Sequence, residues 1–163
     1  MIPAFLYHYM KKITYWPQLF LGFTFNWGII MAWTASNGYL NYVIIALYLS
    51  AIFWTWGYET IYAVKDINDD EIIGLKSTAI KFKKNIKEFI TMTYMITILI
   101  LIYLFRNNMG FNIFTLLFFM FSFTLCYQIL NLKKNKPRVC LELFKFNNIS
   151  GSILFLTLLS INL

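Results

Sequence analysis

The sequence predicts an all-α membrane protein with about five transmembrane helices, and three observations carry that prediction. Hydrophobic residues make up 60% of the 163 and charged residues only 13%, far from the balance of an ordinary soluble domain. Charge is absent from Ile13 to Tyr58, from Phe89 to Phe105, from Asn107 to Leu132 and from Phe146 to Leu163, gaps suited to spans of about 20 apolar residues. Thirteen of the fourteen Lys and Arg residues fall where alternating helices bring them to one side, as the cytoplasmic preference of basic residues requires.

The first uncharged gap is long enough for two spans and is broken at SNGYLN, Ser36 to Asn41, whose Gly and Asn suit a tight turn. The first helix is therefore expected at Gln18 to Thr34, with Lys11 and Lys12 before it, and the second at Leu40 to Val64. A cytoplasmic loop over 64–88 follows, holding Lys65, Lys76, Lys81, Lys83, Lys84 and Lys87 together with most of the acids. The third helix, Phe89 to Phe105, leads to Arg106, the one basic residue on the opposite side. The fourth is expected at Phe111 to Leu130. Lys133, Lys134, Lys136, Arg138 and Lys145 form the next cytoplasmic loop, and the fifth helix, Phe146 to Asn162, ends with the chain. This topology puts the N-terminus inside and the C-terminus outside.

The net charge of +7 is split among loops that flank the membrane instead of forming one stripe, so lipid headgroups account for it and nucleic acid is excluded as a partner. The first ten residues contain Pro3 and His8 and no basic segment before an apolar core, so no cleavable signal peptide is expected and the first span serves as the insertion signal. His8 is read as an interfacial residue. Cys126 in a predicted span and Cys140 in a predicted loop lie in different environments and no CxxC occurs, so neither a disulfide nor a thiol-based centre is expected.

The functional signal sits just after the second helix, in YAVKDINDDEIIGLKST, Tyr62 to Thr78, where Asp66, Asp69, Asp70 and Glu71 fall within six residues. If the helix runs on through Asp70, then Asp66, Asp69 and Asp70 share one face at i, i+3 and i+4. Such a cluster is self-repelling at a helix C-terminus, and a bound cation would reverse the sign. Mg²⁺ is commonly held by one or two carboxylates plus substrate phosphates. The other reading of the same spacing is a solvated loop neutralised by Lys65, Lys76 and Lys81. Gly74 suits a left-handed helix end, Ser77 or Thr78 a cap for the next helix, and Lys76 a contact with a phosphate oxygen. Asn26 and Glu59, polar groups within or near spans, are expected to face a cavity or a neighbouring helix.

The run YAVKDINDDEIIGLKSTAIKF, Tyr62 to Phe82, resembles the second aspartate-rich motif of the UbiA-type 4-hydroxybenzoate polyprenyltransferases, whose pattern is close to YAxxDxxDDxxxGxKSTAxxF. YHYMKKITYWPQLFLGFTFNWGIIMA, Tyr7 to Ala32, resembles the family stretch YPxxKRxTxxPQxxLGxxFxWxxxMA, and KFNNISG, Lys145 to Gly151, its FxxNNxxG segment. The matches occur in family order and span most of the chain. His8 stands where the family often has Pro, and Ile67 and Asn68 where it often has Arg and Asp.

The resemblance implies an integral membrane enzyme of ubiquinone biosynthesis, in a bacterial inner membrane or a mitochondrial inner membrane. It would bind a polyprenyl diphosphate through Mg²⁺ and join the prenyl group to the ring of 4-hydroxybenzoate, releasing pyrophosphate. By position, Asp66 and Asp70 become the catalytic, metal-bridging pair with Asp69 supporting them. Lys76, Tyr62, Lys11, Lys12 and Asn26 become substrate-binding residues. The family fold has nine helices and a first aspartate-rich motif, NxxxDxxxD, on the second; every Asp of this chain lies in DINDD. The chain is thus expected to correspond to helices five to nine, a partial domain over 1–163 that acts with a separate N-terminal half. The alternative expectation is a non-catalytic remnant or membrane assembly subunit that keeps the fold. A small transporter fits less well, because the acids lie at the membrane edge and not near the midplane.

Overall fold

The computed structural model describes residues 9–162, a bundle in which every regular element among the described residues is helical. After helical residues 9–13, the first span is built from two pieces, α1 (Pro17–Phe25) and α2 (Trp27–Asn37). Pro17 opens α1 from the first helical position, where its missing N–H costs nothing. Asn26 interrupts the span, and Gly38 closes α2 at φ 74°, a conformation that glycine adopts without a Cβ penalty. The predicted break at SNGYLN is therefore a helix stop followed by a helix start, because Asn41 caps α3 (Tyr42–Val64) by accepting from the Ile44 N–H at 2.9 Å.

Two short helices, α4 (Ile67–Ile73) and α5 (Thr78–Lys81), lie in the long loop, and α6 (Ile86–Phe105) leaves it. A 3₁₀ turn at Arg106–Asn108 leads to α7 (Ile113–Asn131), whose cap, Asn112, accepts from the Thr115 N–H at 3.0 Å. The last long helix, α8, runs Pro137–Leu159. It begins nine residues before the expected Phe146, so Arg138 and Lys145, read from sequence as loop residues, lie on its early turns. The physical reason is amphipathy: Cys140 and Leu143 are buried there, while the exposed Arg138, Glu142 and Lys145 around them make the stretch look like a loop when charge alone is read. Cys126 is exposed on α7, and His8 lies outside the described residues.

Among the described residues, four spans are long and apolar enough to cross a bilayer: 17–37, 86–108, 113–131 and 137–159. The helix α3, 23 residues long, lies outside this set and carries Ser50, Thr55, Glu59 and Thr60 along it. It tolerates them because it is the centre of the bundle, packing against α1, α2, α5, α6 and α8. Exposed Phe119, Phe123, Leu99 and Leu130 face outward, as expected where lipid is the solvent and burial of apolar area is not what holds helices together. Polar contacts and close approach do that instead. The buried Tyr94 hydroxyl of α6 donates to Gln128 Oε1 of α7 at 2.6 Å, and Gln128 Nε2 donates to Ser150 Oγ of α8 at 3.1 Å. Three helices are thereby joined in one chain of hydrogen bonds.

The basic segments converge at one end. Lys134 donates to the carbonyls of Lys83 and Lys84 at 3.2 and 2.7 Å, and the Lys76 N–H donates to the Lys11 carbonyl at 2.7 Å, while Arg106 sits beyond the far end of α6.

The contact between α3 and α6 is closest at Gly57, where an added Cβ would collide with the Tyr94 ring and the Thr93 hydroxyl. Gly57→Ala should destabilise the bundle by about 1–3 kcal/mol through overpacking, read as a lowered midpoint of thermal unfolding in detergent. Gly28→Ala, at a position with open space around it, should leave that midpoint unchanged.

Candidate active site

The acidic cluster is built differently from its sequence reading. Helix α3 stops at Val64; Lys65 and Asp66 turn the chain, with Asp66 at φ −103°, ψ 7°, and a new helix starts at Ile67. Asp69 and Asp70 then occupy the first turn of α4. The expected continuous helix is replaced by a break, and the electrostatic sign changes with it. Negative charge is favoured at a helix N-terminus and disfavoured at a C-terminus, so the acids sit where the backbone N–H groups of α4 welcome them. One-turn spacing survives, because the Asp70 N–H donates to the Asp66 carbonyl at 2.8 Å.

The three aspartates differ in what they touch. Asp66 lies 3.4 Å from Lys65 Nζ, with its side chain 31% exposed. Asp69 is exposed. Asp70 is buried, its side chain 8% exposed, and its Oδ2 lies 3.4 Å from Lys11 Nζ. That distance exceeds the about 2.7–2.9 Å of a tight charge-assisted bond, so Asp70 keeps acceptor capacity. Lys65 also donates to the Tyr62 hydroxyl at 3.1 Å, and this bond and the Asp66 carboxylate raise its pKa above the usual lysine value. Glu71 turns away to an exposed pair with Lys83 at 2.7 Å.

The segment after the acids is fixed from below. Gly74 ends α4 at φ 76°, and Ser77 caps α5 by accepting from the Ile80 N–H at 3.2 Å, both as the sequence suggested. Thr78 has a different task. Its N–H and its hydroxyl each lie 3.0 Å from Oε1 of the buried Gln18, and its oxygen accepts from Trp56 Nε1 at 3.2 Å. Trp56 in turn packs edge-on against Trp16 and Phe89 with ring centroids 5.5 and 5.1 Å apart, and Lys81 Nζ stands 3.7 Å from the centre of the Trp16 ring. Gln18, Trp16 and Trp56 position the site and were not singled out for this from sequence. The available signal was that Gln18 is an amide inside an apolar run directly after Pro17.

The predicted substrate-binding residues fall into two groups. Lys11 meets the acidic cluster directly, and Lys12 is exposed beside it. Lys76 sits in the same loop, but its Nζ donates to the Ile13 carbonyl at 3.2 Å and lies 5.5 Å from the centre of the Tyr15 ring. Asn26 belongs instead to a cavity of about 890 Å³ between α3, α8 and the α1–α2 break, lined also by Tyr58, Glu59, Phe144, Asn147 and Asn148, and Tyr62 lies outside its lining. Tyr62 packs on the lining residue Phe144, ring centroids 4.8 Å apart. Asn26 Nδ2 donates to the Gly22 carbonyl and Thr55 Oγ1, both at 2.8 Å, and to the Ala51 carbonyl at 3.3 Å. The motif NNxSG therefore lies across the cavity from Glu59.

Among the described residues no trio of His, Cys, Asp or Glu is placed to enclose a metal ion. The donors at the site are hard carboxylate oxygens, partly accessible at Asp66 and Asp69. They suit a Mg²⁺ whose remaining ligands are water and phosphate, and not an ion caged by protein alone.

The sequence model of the UbiA prenyltransferase family matches residues 1–150. The mitochondrial 4-hydroxybenzoate polyprenyltransferase of Bos taurus is 41% identical over 160 residues, which cover 96% of this chain and 43% of the relative. The enzyme of that name from Homo sapiens is 38% identical over 159 residues, with the same two shares of 96% and 43%. The one from Arabidopsis thaliana is 47% identical over 89 residues, 54% of this chain and 22% of the relative. The chain thus spans less than half the length of these curated relatives. No solved structure matches it.

Gln18→Ala should leave the buried Thr78 N–H without an acceptor, at a cost of about 1–3 kcal/mol. The expected readout is faster protease cleavage within residues 64–77 in detergent or membranes, with cleavage in the α7–α8 connection unaffected.

Proposed function

The chain belongs to the UbiA prenyltransferase family, and from that premise we propose that it supplies one wall of a 4-hydroxybenzoate polyprenyltransferase site. In this reading the enzyme serves ubiquinone biosynthesis, moving the prenyl group of a polyprenyl diphosphate to the ring of 4-hydroxybenzoate and releasing pyrophosphate. The observation that carries it is the placement of Asp66, Asp69 and Asp70 on the turn that opens α4, with Lys11 against Asp70, at the end of a helix that also borders a polar cavity.

The residues divide the work. Asp66 and Asp70, with Asp69 beside them, would hold Mg²⁺ together with the diphosphate, and the ion would offset the charge gathering on the leaving group. Lys11 lies against these acids and serves both them and the diphosphate oxygens; Lys12 and Lys76 add positive charge to the same loop region. The cavity lined by Asn26 and approached by Tyr62 receives the aromatic acceptor, because its polar wall opens off the helix that ends in the aspartates. Three aspartates at one turn cannot surround a diphosphate. The facing carboxylates come from residues outside this chain, an N-terminal half that packs against the open side of the cavity. Because the relatives carry mitochondrial names, we place the enzyme in a mitochondrial inner membrane and prefer that location to the bacterial one.

The test is co-expression with the N-terminal half of a related 4-hydroxybenzoate polyprenyltransferase, followed by assay of prenyl transfer in membranes. The pair should be active. Asp66→Asn or Asp70→Asn should lower the rate about 10²–10³-fold, the scale of losing one element of transition-state charge stabilisation. Full activity of both variants would favour the remnant or assembly subunit instead, and activity from the chain alone would remove the need for the second half.

A further inference from the structure

Glu59 is the one charged residue lining the 890 Å³ cavity, and among the described residues no hydrogen bond or ion pair joins it to another side chain. A carboxylate held this way inside a bundle is expensive, and such groups tend to mark sites of function. Its surroundings are those of a small polar ligand pocket. Asn147 and Asn148 line it from α8, Asn26 from the break in the first span, and Thr55 and Tyr58 from α3. Two polar atoms of this wall, Trp54 Nε1 and Asn147 Oδ1, are buried without a partner. Glu59 lies inside α3 and Asp66 in the turn just beyond its end, so at about 1.5 Å of rise per residue the two are roughly 10 Å apart along the axis. That separation is too long for a shared metal ion and leaves room for the reacting carbon and an aromatic ring between the two groups.

We propose that Glu59 is the catalytic base for the phenolic acceptor, an inference that rests on the prenyltransferase reading above. The phenol O–H proton passes to the Glu59 carboxylate as the ring carbon beside the oxygen attacks the allylic carbon. The C–O bond to the diphosphate breaks and its electron pair leaves with pyrophosphate, while the new C–C bond takes its pair from the ring. The resulting dienone then moves its ring hydrogen, as a proton, to the phenolic oxygen, restoring aromaticity, and Glu59 returns its proton to water. A phenolate is a far stronger carbon nucleophile than a phenol, so the carboxylate acts on the acceptor half of the reaction and leaves diphosphate binding to the aspartates.

The experiment uses membranes containing the chain and the N-terminal half, with saturating polyprenyl diphosphate and two acceptors, 4-hydroxybenzoate and 3-fluoro-4-hydroxybenzoate. The fluorinated ring has a more acidic phenol and one free carbon beside it. Glu59→Gln should lower kcat with 4-hydroxybenzoate by about 10²–10⁴-fold, the usual worth of a positioned base. Its deficit relative to the unsubstituted pair should shrink with the fluorinated acceptor, and Glu59→Asp should keep part of the activity, showing that the site still folds. An unchanged rate in Glu59→Gln, or an equal deficit with both acceptors, overturns the assignment of Glu59. No transfer to either acceptor by the unsubstituted pair overturns instead the prenyltransferase reading itself.

Discussion

The acceptance of two hydrogen bonds by Gln18 from Thr78 is the contact on which the geometry of the site depends. A long loop of mixed charge has no reason of its own to hold one shape, and here it leaves α3 and returns to α6 over more than twenty residues. The buried amide of Gln18 takes both donors of Thr78, and Trp56 completes the set from below. Around this node the Trp16, Trp56, Phe82 and Phe89 rings close a compact aromatic floor. The main chain at Lys76 is tied to Lys11 in the same way, so the short helix bearing the aspartates is anchored behind its last residue. Without those ties the acidic turn would be a mobile loop with no fixed relation to the cavity.

Electrostatics then decides why the chain breaks after Val64. A continuous helix would have stacked three carboxylates on the negative end of α3. Starting a new helix at Ile67 moves the same side chains to a positive end, and the turn at Lys65 and Asp66 provides an ion pair as well. The isolated cluster is thus tolerable before any cation arrives, while Asp66 and Asp69 keep accessible oxygens.

The long helices were legible because charge is excluded from lipid: the uncharged gaps located four spans to within a few residues. The fifth was displaced because Arg138, Glu142 and Lys145 ride on the outer face of an amphipathic stretch whose inner face, Cys140 and Leu143, is too sparse to read as a span. The interruptions at Asn26 and Asp66 left no signal that composition could reveal: the first rests on hydrogen bonds to Ala51 and Thr55 of another helix, the second on where the short helix bearing the acids begins. At the site, the acids, Gly74 and Ser77 were legible through charge spacing and capping chemistry. The supporting roles of Gln18 and Trp56 were not, because a polar or aromatic residue in a span reads the same whether it faces lipid, a neighbour or a loop. Glu59 and Asn26 stood out as polar groups in the wrong solvent, and the fold explains them together: both border one cavity.

The break at Asn26 divides the first span into halves that are held unequally. The α1 half has Pro17, Gln18 and Gly22 buried, whereas α2 has no buried residue, and the Asn26 amide pins the junction to α3 through Ala51 and Thr55. A bilayer that thickens or thins forces spanning helices to tilt or bend at modest cost. Of the two halves, α2 is the one with fewer buried contacts to resist such tilting, and it lies on the far side of Asn26 from the aspartates.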